Sequence, residues 1–132
     1  MMSACRLVLV LISFVLLQTI CEAGLFPAKR TINITNDVYV QSELDLTVHC
    51  KSCDDDLGEH VLPFNGWYSF SFRPWRNTLF YCSFAWKNQI ERYDIYVDKR
   101  DHDQCRYCRW FIRYYGPCYW NYEFDLVNCL QW

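Results

Sequence analysis

The chain has 132 residues, with 6 Trp, 10 Tyr, 9 Phe and 9 Cys, and a formal net charge of −2. That balance excludes the basic footprint of non-specific nucleic-acid binding, and so much ring area excludes a disordered chain. The length suits one domain rather than two.

In chain order, the first element is a predicted secretory signal over residues 1–23. Arg6 precedes the apolar run Leu7 to Leu17, and Cys21-Glu22-Ala23 sets small residues around a cleavage point before Gly24. The remainder, residues 24–132, reads as a single secreted, extracellular domain. No other stretch approaches the roughly 18 apolar residues that a membrane helix needs, so no membrane insertion is expected. Seven cysteines stay with that domain: Cys50, Cys53, Cys82, Cys105, Cys108, Cys118 and Cys129. In an oxidising compartment they are expected to pair.

Short alternating runs follow one another along the domain. Thr31–Thr35 comes first, then Leu46, Val48 and Cys50 against Thr47, His49 and Lys51. Tyr68, Phe70 and Phe72 alternate with serines, and Phe80, Cys82, Phe84 and Trp86 with Tyr81, Ser83 and Ala85. Tyr93, Ile95 and Val97 follow, then Cys108, Trp110, Ile112 and Tyr114, then Cys118, Trp120, Tyr122, Phe124 and Leu126. A period of two with one apolar face marks half-buried antiparallel strands. Asp54–Gly58, Asn65-Gly66, Arg73-Pro74, Lys99–Gln104 and Gly116-Pro117 supply the breaks, and Asn65-Gly66 has hairpin chemistry. The expected fold is all-β: a small disulfide-stabilised antiparallel β-sandwich of about seven or eight strands.

Cys50, Cys82, Cys108 and Cys118 fall on the apolar sides of their runs, a placement that suits two buried bridges between facing sheets. Cys105 and Cys129 are then the next pair, leaving Cys53 over. A competing scheme pairs the strands of Cys50 and Cys108 directly, which sets Cys53 opposite Cys105. Two CxxC pairs, Cys50–Cys53 and Cys105–Cys108, have zinc-ligand spacing, but the gap between them is too long for a zinc ribbon and the compartment favours disulfides.

Only three histidines are present, His49, His60 and His102, and no nucleophile motif accompanies them. A calcium loop counted from Asp54 fails, with Glu59 where glycine is wanted and Asn65 where glutamate is wanted. No cofactor and no catalytic set is predicted. Asn33-Ile34-Thr35 is an N-glycosylation sequon, which predicts a glycan at Asn33 on the surface.

Several motifs together resemble the plant self-incompatibility S1 family, the S-protein homologues. They are His49-Cys50-Lys51-Ser52, Asp54–His60, Leu79–Phe84, Arg100-Asp101 leading to Cys105-x-x-Cys108-x-Trp110, Gly116-Pro117-Cys118, and Cys129 with Trp132. Cys53 departs from the pattern, since a lysine or another polar residue usually stands there. The resemblance implies a small secreted β-sandwich that acts as a ligand. Its founding members resemble stigma ligands that arrest incompatible pollen through a receptor and calcium signalling. The implied partner is an unidentified plasma-membrane receptor, and the chain is read as a monomer. Lys99, Arg100, His102 and Asp103 are the predicted receptor contacts, with Asp54, Asp55, Asp56 and Glu59 as a second loop, although Asp54–Gly58 also reads as a structural turn. The alternative is a secreted defence or carbohydrate-binding module that uses exposed rings such as Trp67, Trp75 or Tyr115; a hydrolase using His49 or His60 is a third reading.

Overall fold

A computed structural model describes residues 27–132. The predicted signal segment therefore lies outside the described residues. Nine strands and one short helix follow in order: β1 Arg30–Asn36, β2 Leu46–Lys51, β3 Asp56–Leu62, β4 Trp67–Phe72, β5 Leu79–Trp86, β6 Gln89–Val97, α1 Asp98–Asp101, β7 Tyr107–Arg113, β8 Gly116–Asn121 and β9 Leu126–Cys129. They form a five-stranded sheet, β4-β1-β7-β8-β9, and a four-stranded sheet, β3-β2-β5-β6. All pairings are antiparallel except β1 with β7, which run parallel. No helix among the described residues is long and apolar enough to cross a membrane.

The alternation in the sequence builds the core. Ile32 and Ile34 of β1, Val48 of β2, Phe84 of β5 and Ile112 of β7 are all fully buried; each such side chain contributes about 1.5–3 kcal/mol on leaving water. Aromatic rings join the sheets: Phe72 of β4 lies 4.5 Å from Phe80 and 4.8 Å from Tyr96, edge-on to the latter. One strand breaks its own alternation. A register shift on β5–β6 makes Tyr81 face Asp94 while Phe80 faces Tyr96, so Ile95 and Tyr96 are both buried. The sequence pattern had set Tyr96 outward; a β-bulge turns it in. Burial holds the Tyr96 hydroxyl well above the ordinary tyrosine range, and its bond to Asp98 adds to this.

Two other expectations change. Asn65-Gly66 does not close a hairpin: it lies on the corner where the chain leaves β3 in one sheet for β4 in the other. Asn65 takes φ +65°, and the Gly66 N–H donates to the Pro63 carbonyl at 2.7 Å. The corner is held by Asn36, fully buried, which donates to the carbonyls of Leu44 (2.7 Å) and Leu62 (2.9 Å) and accepts from the Val38 N–H (2.9 Å). The run Cys118–Leu126 is not one strand but a hairpin, with a turn in which Asn121 Oδ1 accepts from the N–H groups of Glu123 and Phe124.

Three bridges lie wholly among the described residues, Cys50–Cys82, Cys105–Cys108 and Cys118–Cys129, and none of these three joins one sheet to the other. Cys50 and Cys82 are register partners on β2 and β5, and Cys118 and Cys129 on β8 and β9. Cys105 pairs with Cys108 rather than Cys129, and Cys53 is disulfide-bonded as well, so its sulfur is not left over. The direct-register scheme fails because β2 and β7 belong to different sheets. Cys118 is fully buried, as expected, but its register partner is Phe111; Tyr119 is the β8 residue that pairs with core-facing Trp110 and packs on the core cluster.

Candidate functional site

The charged segment after β6 is a helical turn with a structured interior. Asp101, 8% exposed, accepts the Val97 N–H on Oδ2 (2.8 Å), and its carbonyl accepts the Gln104 N–H (3.0 Å). Arg100 donates to both Asp101 oxygens, each at 2.7 Å, to the Asp94 carbonyl at 2.9 Å and to the Tyr93 hydroxyl at 3.2 Å. Its guanidinium also lies 5.4 Å from the Tyr93 ring centre and 5.9 Å from that of Trp110. Burial pulls the Arg100 proton affinity down, but the Asp101 carboxylate outweighs it and raises the net value. Burial raises the Tyr93 hydroxyl. Arg30, 5% exposed, donates to the His102 carbonyl at 3.0 Å and anchors the far end of the turn.

This frame separates the predicted contacts. Arg100 is engaged by the scaffold, whereas Lys99, His102 and Asp103 are exposed. The His102 ring reaches Asp98 at 3.3 Å.

Beside the turn opens a cleft of 760 Å³. Its floor is formed by Tyr93, Trp110 and Tyr119, with Tyr93 and Tyr119 lying 5.4 and 5.6 Å from Trp110. One rim carries Asp103, Gln104 and the Cys105–Cys108 bridge; the opposite rim carries Trp120, Asn121, Tyr122 and Glu123. Arg109 covers Trp120 and Phe111 at 5.5 Å from each ring. None of Arg109, Tyr119, Trp120, Asn121 or Glu123 stood out in the sequence as a site residue. The turn-forming Asn121 and the reversal of β8 were their only signal.

The acidic run is mostly frame. Ser52 and Asp55 close a turn through Ser52 N–H to the Asp55 carbonyl (2.8 Å) and Asp55 N–H to Ser52 Oγ (3.2 Å). Asp56 begins β3, accepts the Gly58 N–H at 3.0 Å and pairs with His49 Nε2 at 2.5 Å; Gly58 takes φ +77°. The His49 hydrogen bond, then that of Gly58, lowers the Asp56 pKa below its ordinary value. Asp55 and Glu59 remain exposed. His49 and Lys51 of β2 line one shallow groove with Arg92, Asp94 and Arg100; the acidic-loop residues do not line it, and Asp56 reaches its edge through His49.

His49 is also the register partner of Ser83. The row Ser83–His49–Asp56 holds a histidine–carboxylate pair, but no hydrogen bond links Ser83 to His49 among the described residues. His49 therefore engages Asp56 and not Ser83 in this arrangement. His60 is engaged too, stacked on Tyr68 at 3.8 Å and bonded to the Leu57 carbonyl.

The CxxC sulfurs that a zinc site would need as thiolates are disulfide-bonded. Asn33 is not on a loop. It sits on β1 between β4 and β7, 9% exposed, and its Nδ2 donates to Ser69 Oγ at 2.8 Å. That nitrogen is the atom a glycan would modify, so the expected surface placement does not hold. Trp67, Trp75 and Tyr115 are exposed but fall in different places, on β4, in the β4–β5 connection and at the β7–β8 turn. They do not form one platform.

Comparison with known proteins agrees with the motifs. The family described as plant self-incompatibility protein S1 matches residues 31–132. S-protein homolog 5 of Arabidopsis thaliana is 52% identical over 75 residues, 55% of this chain and 59% of that protein. S-protein homolog 2 of the same plant is 44% identical over 120 residues, covering 83% and 72%. S-protein homolog 29 is 36% identical over 132 residues, 95% of each. The span of the family match, over most of the sandwich and the three described bridges, places the chain in the plant self-incompatibility protein S1 family.

Proposed function

We propose that the chain is a secreted signalling ligand of the S-protein type that binds a receptor on the plasma membrane of a target cell. The observation that carries this reading is the surface around α1. Arg100, Asp101 and Arg30 fix the turn to the sandwich, and this leaves Lys99, His102 and Asp103 outward on a rigid base. Exposed charges on a fixed loop change partner choice without disturbing a core. Glu59, exposed and the register partner of His49, extends the contact surface across the groove that His49 shares with Arg100, and exposed Asp55 is tested with it. The reading needs no catalytic step, and expression in the stigma would assign it to pollen rejection.

The test neutralises two sets separately, Lys99→Ala with His102→Ala and Asp103→Ala, and Asp55→Ala with Glu59→Ala. Melting curves establish that each variant folds. Binding of labelled protein to responding cells is then measured. The α1 set is expected to weaken binding at least about tenfold, the effect of losing one or two charge-assisted contacts. If both folded variants bind and signal like wild type, the reading fails.

A further inference from the structure

We propose that the cleft between α1 and the β8–β9 hairpin is a binding site for a neutral oligosaccharide. Its volume of 760 Å³ lies within the range of about 300–1,000 Å³ typical of small-molecule sites. A sugar ring has two chemistries: C–H faces that pack on aromatic rings, and hydroxyls around its edge that need planar donors and acceptors. The cleft has both in the matching places. Arg100 lies over Tyr93 and the buried Trp110, so the ring faces left for a sugar are those of half-buried Tyr119 and exposed Tyr122. Four polar side chains rise on opposite sides, Asp103 and Gln104 on one, Asn121 and Glu123 on the other.

These four are uncommitted. Among the described residues no hydrogen bond involves the side chains of Asp103, Gln104 or Glu123. Asn121 uses its Oδ1 on the hairpin turn, so its NH₂ group remains a donor. The charges select the ligand class. A cationic ligand would meet two lining guanidiniums, Arg100 over Tyr93 and Trp110 and Arg109 over Trp120 and Phe111. An anionic sugar would meet two carboxylates, Asp103 and Glu123, against Arg109, since the Arg100 charge is matched by Asp101. A neutral polyol uses the carboxylates as acceptors and the amides as donors. The Cys105–Cys108 bridge and the Arg100–Asp101 pair hold one rim, which lowers the ordering cost of binding. Asp103 belongs to both surfaces, but the two readings are tested apart, because sugar binding is measured on the isolated protein and receptor binding on cells.

The experiment titrates the oxidised, secreted chain with cellohexaose, xylohexaose and mannohexaose, with hexagalacturonate and a glucosamine hexamer as charged controls. Indole N–H signals in NMR spectra report on Trp110 and Trp120. At least one neutral oligomer is expected to bind with Kd at or below about 1 mM, more tightly than either control. The double variant Asp103→Ala with Glu123→Ala, both exposed, should keep its melting temperature and lose about tenfold in affinity. Absence of neutral binding at about 5 mM, tighter binding of either charged control, or wild-type affinity in the folded double variant overturns the proposal.

Discussion

Asn36 shows how one polar residue can determine a corner. It is fully buried and makes three bonds, two into the β1–β2 connection and one to β3. Asn36→Ala leaves two carbonyls and one N–H without partners, each worth about 1–3 kcal/mol when buried. A loss of about 3–4 kcal/mol is expected, read as a lower urea midpoint with an unchanged slope. Asp56 acts through pH instead. Its pKa is depressed from 3.8 in the fold, by His49 first and Gly58 second. A depressed carboxylate stabilises the fold above its unfolded pKa, and that stabilisation is lost as pH falls through the folded value. The melting temperatures of wild type and Asp56→Asn should therefore differ at about pH 5 and converge as the pH falls below 3.8 and through the lowered folded value. A gap that does not change with pH would contradict the pairing. Arg100 could not be sorted from Lys99 in the sequence, because only the fold places Asp101, Tyr93 and Trp110 around it.

At the level of elements, alternation carried most of the reading. β1, β2, β4, β5 and β7 are where their patterns put them, because one face of each is in the core. β3 was missed: Asp56, Gly58 and Glu59 disfavour a strand by propensity, and edge pairing with β2 overrides it. The bulge on β6 and the break at Asn121 were missed because a one-residue shift reverses every side chain after it. That same reversal hid the cleft, whose floor includes Tyr119. The bridges differ in what they enclose, with separations of 32, 11 and 3 residues. Chain-entropy scaling gives about 4, 3 and 2 kcal/mol for Cys50–Cys82, Cys118–Cys129 and Cys105–Cys108. Paired Cys→Ala variants should lose melting temperature in that order. If removing Cys105–Cys108 proves the most damaging, its role is to hold the cleft rim into the core rather than to close a loop.

For the whole molecule, the sandwich sets the core and leaves the variable chemistry at one edge. The C-terminus completes that core: Trp132 donates from Nε1 to the carbonyls of Arg113 and Tyr114 and packs 5.8 Å from Phe84 and 6.0 Å from Trp86. Gly116 lets the tail approach, since a Cβ there would sit 1.7 Å from the Leu130 carbonyl oxygen. The central claim is that the α1 side faces the receptor, while the β1–β2 connection at the other end of β1 does not. Its most direct test places a photo-crosslinking group at Lys99 or at Tyr39, both exposed. Each protein is irradiated on responding cells, and the covalent adducts are identified. The account predicts an adduct with a plasma-membrane protein from position 99 and none from position 39. An adduct from position 39 alone would contradict it.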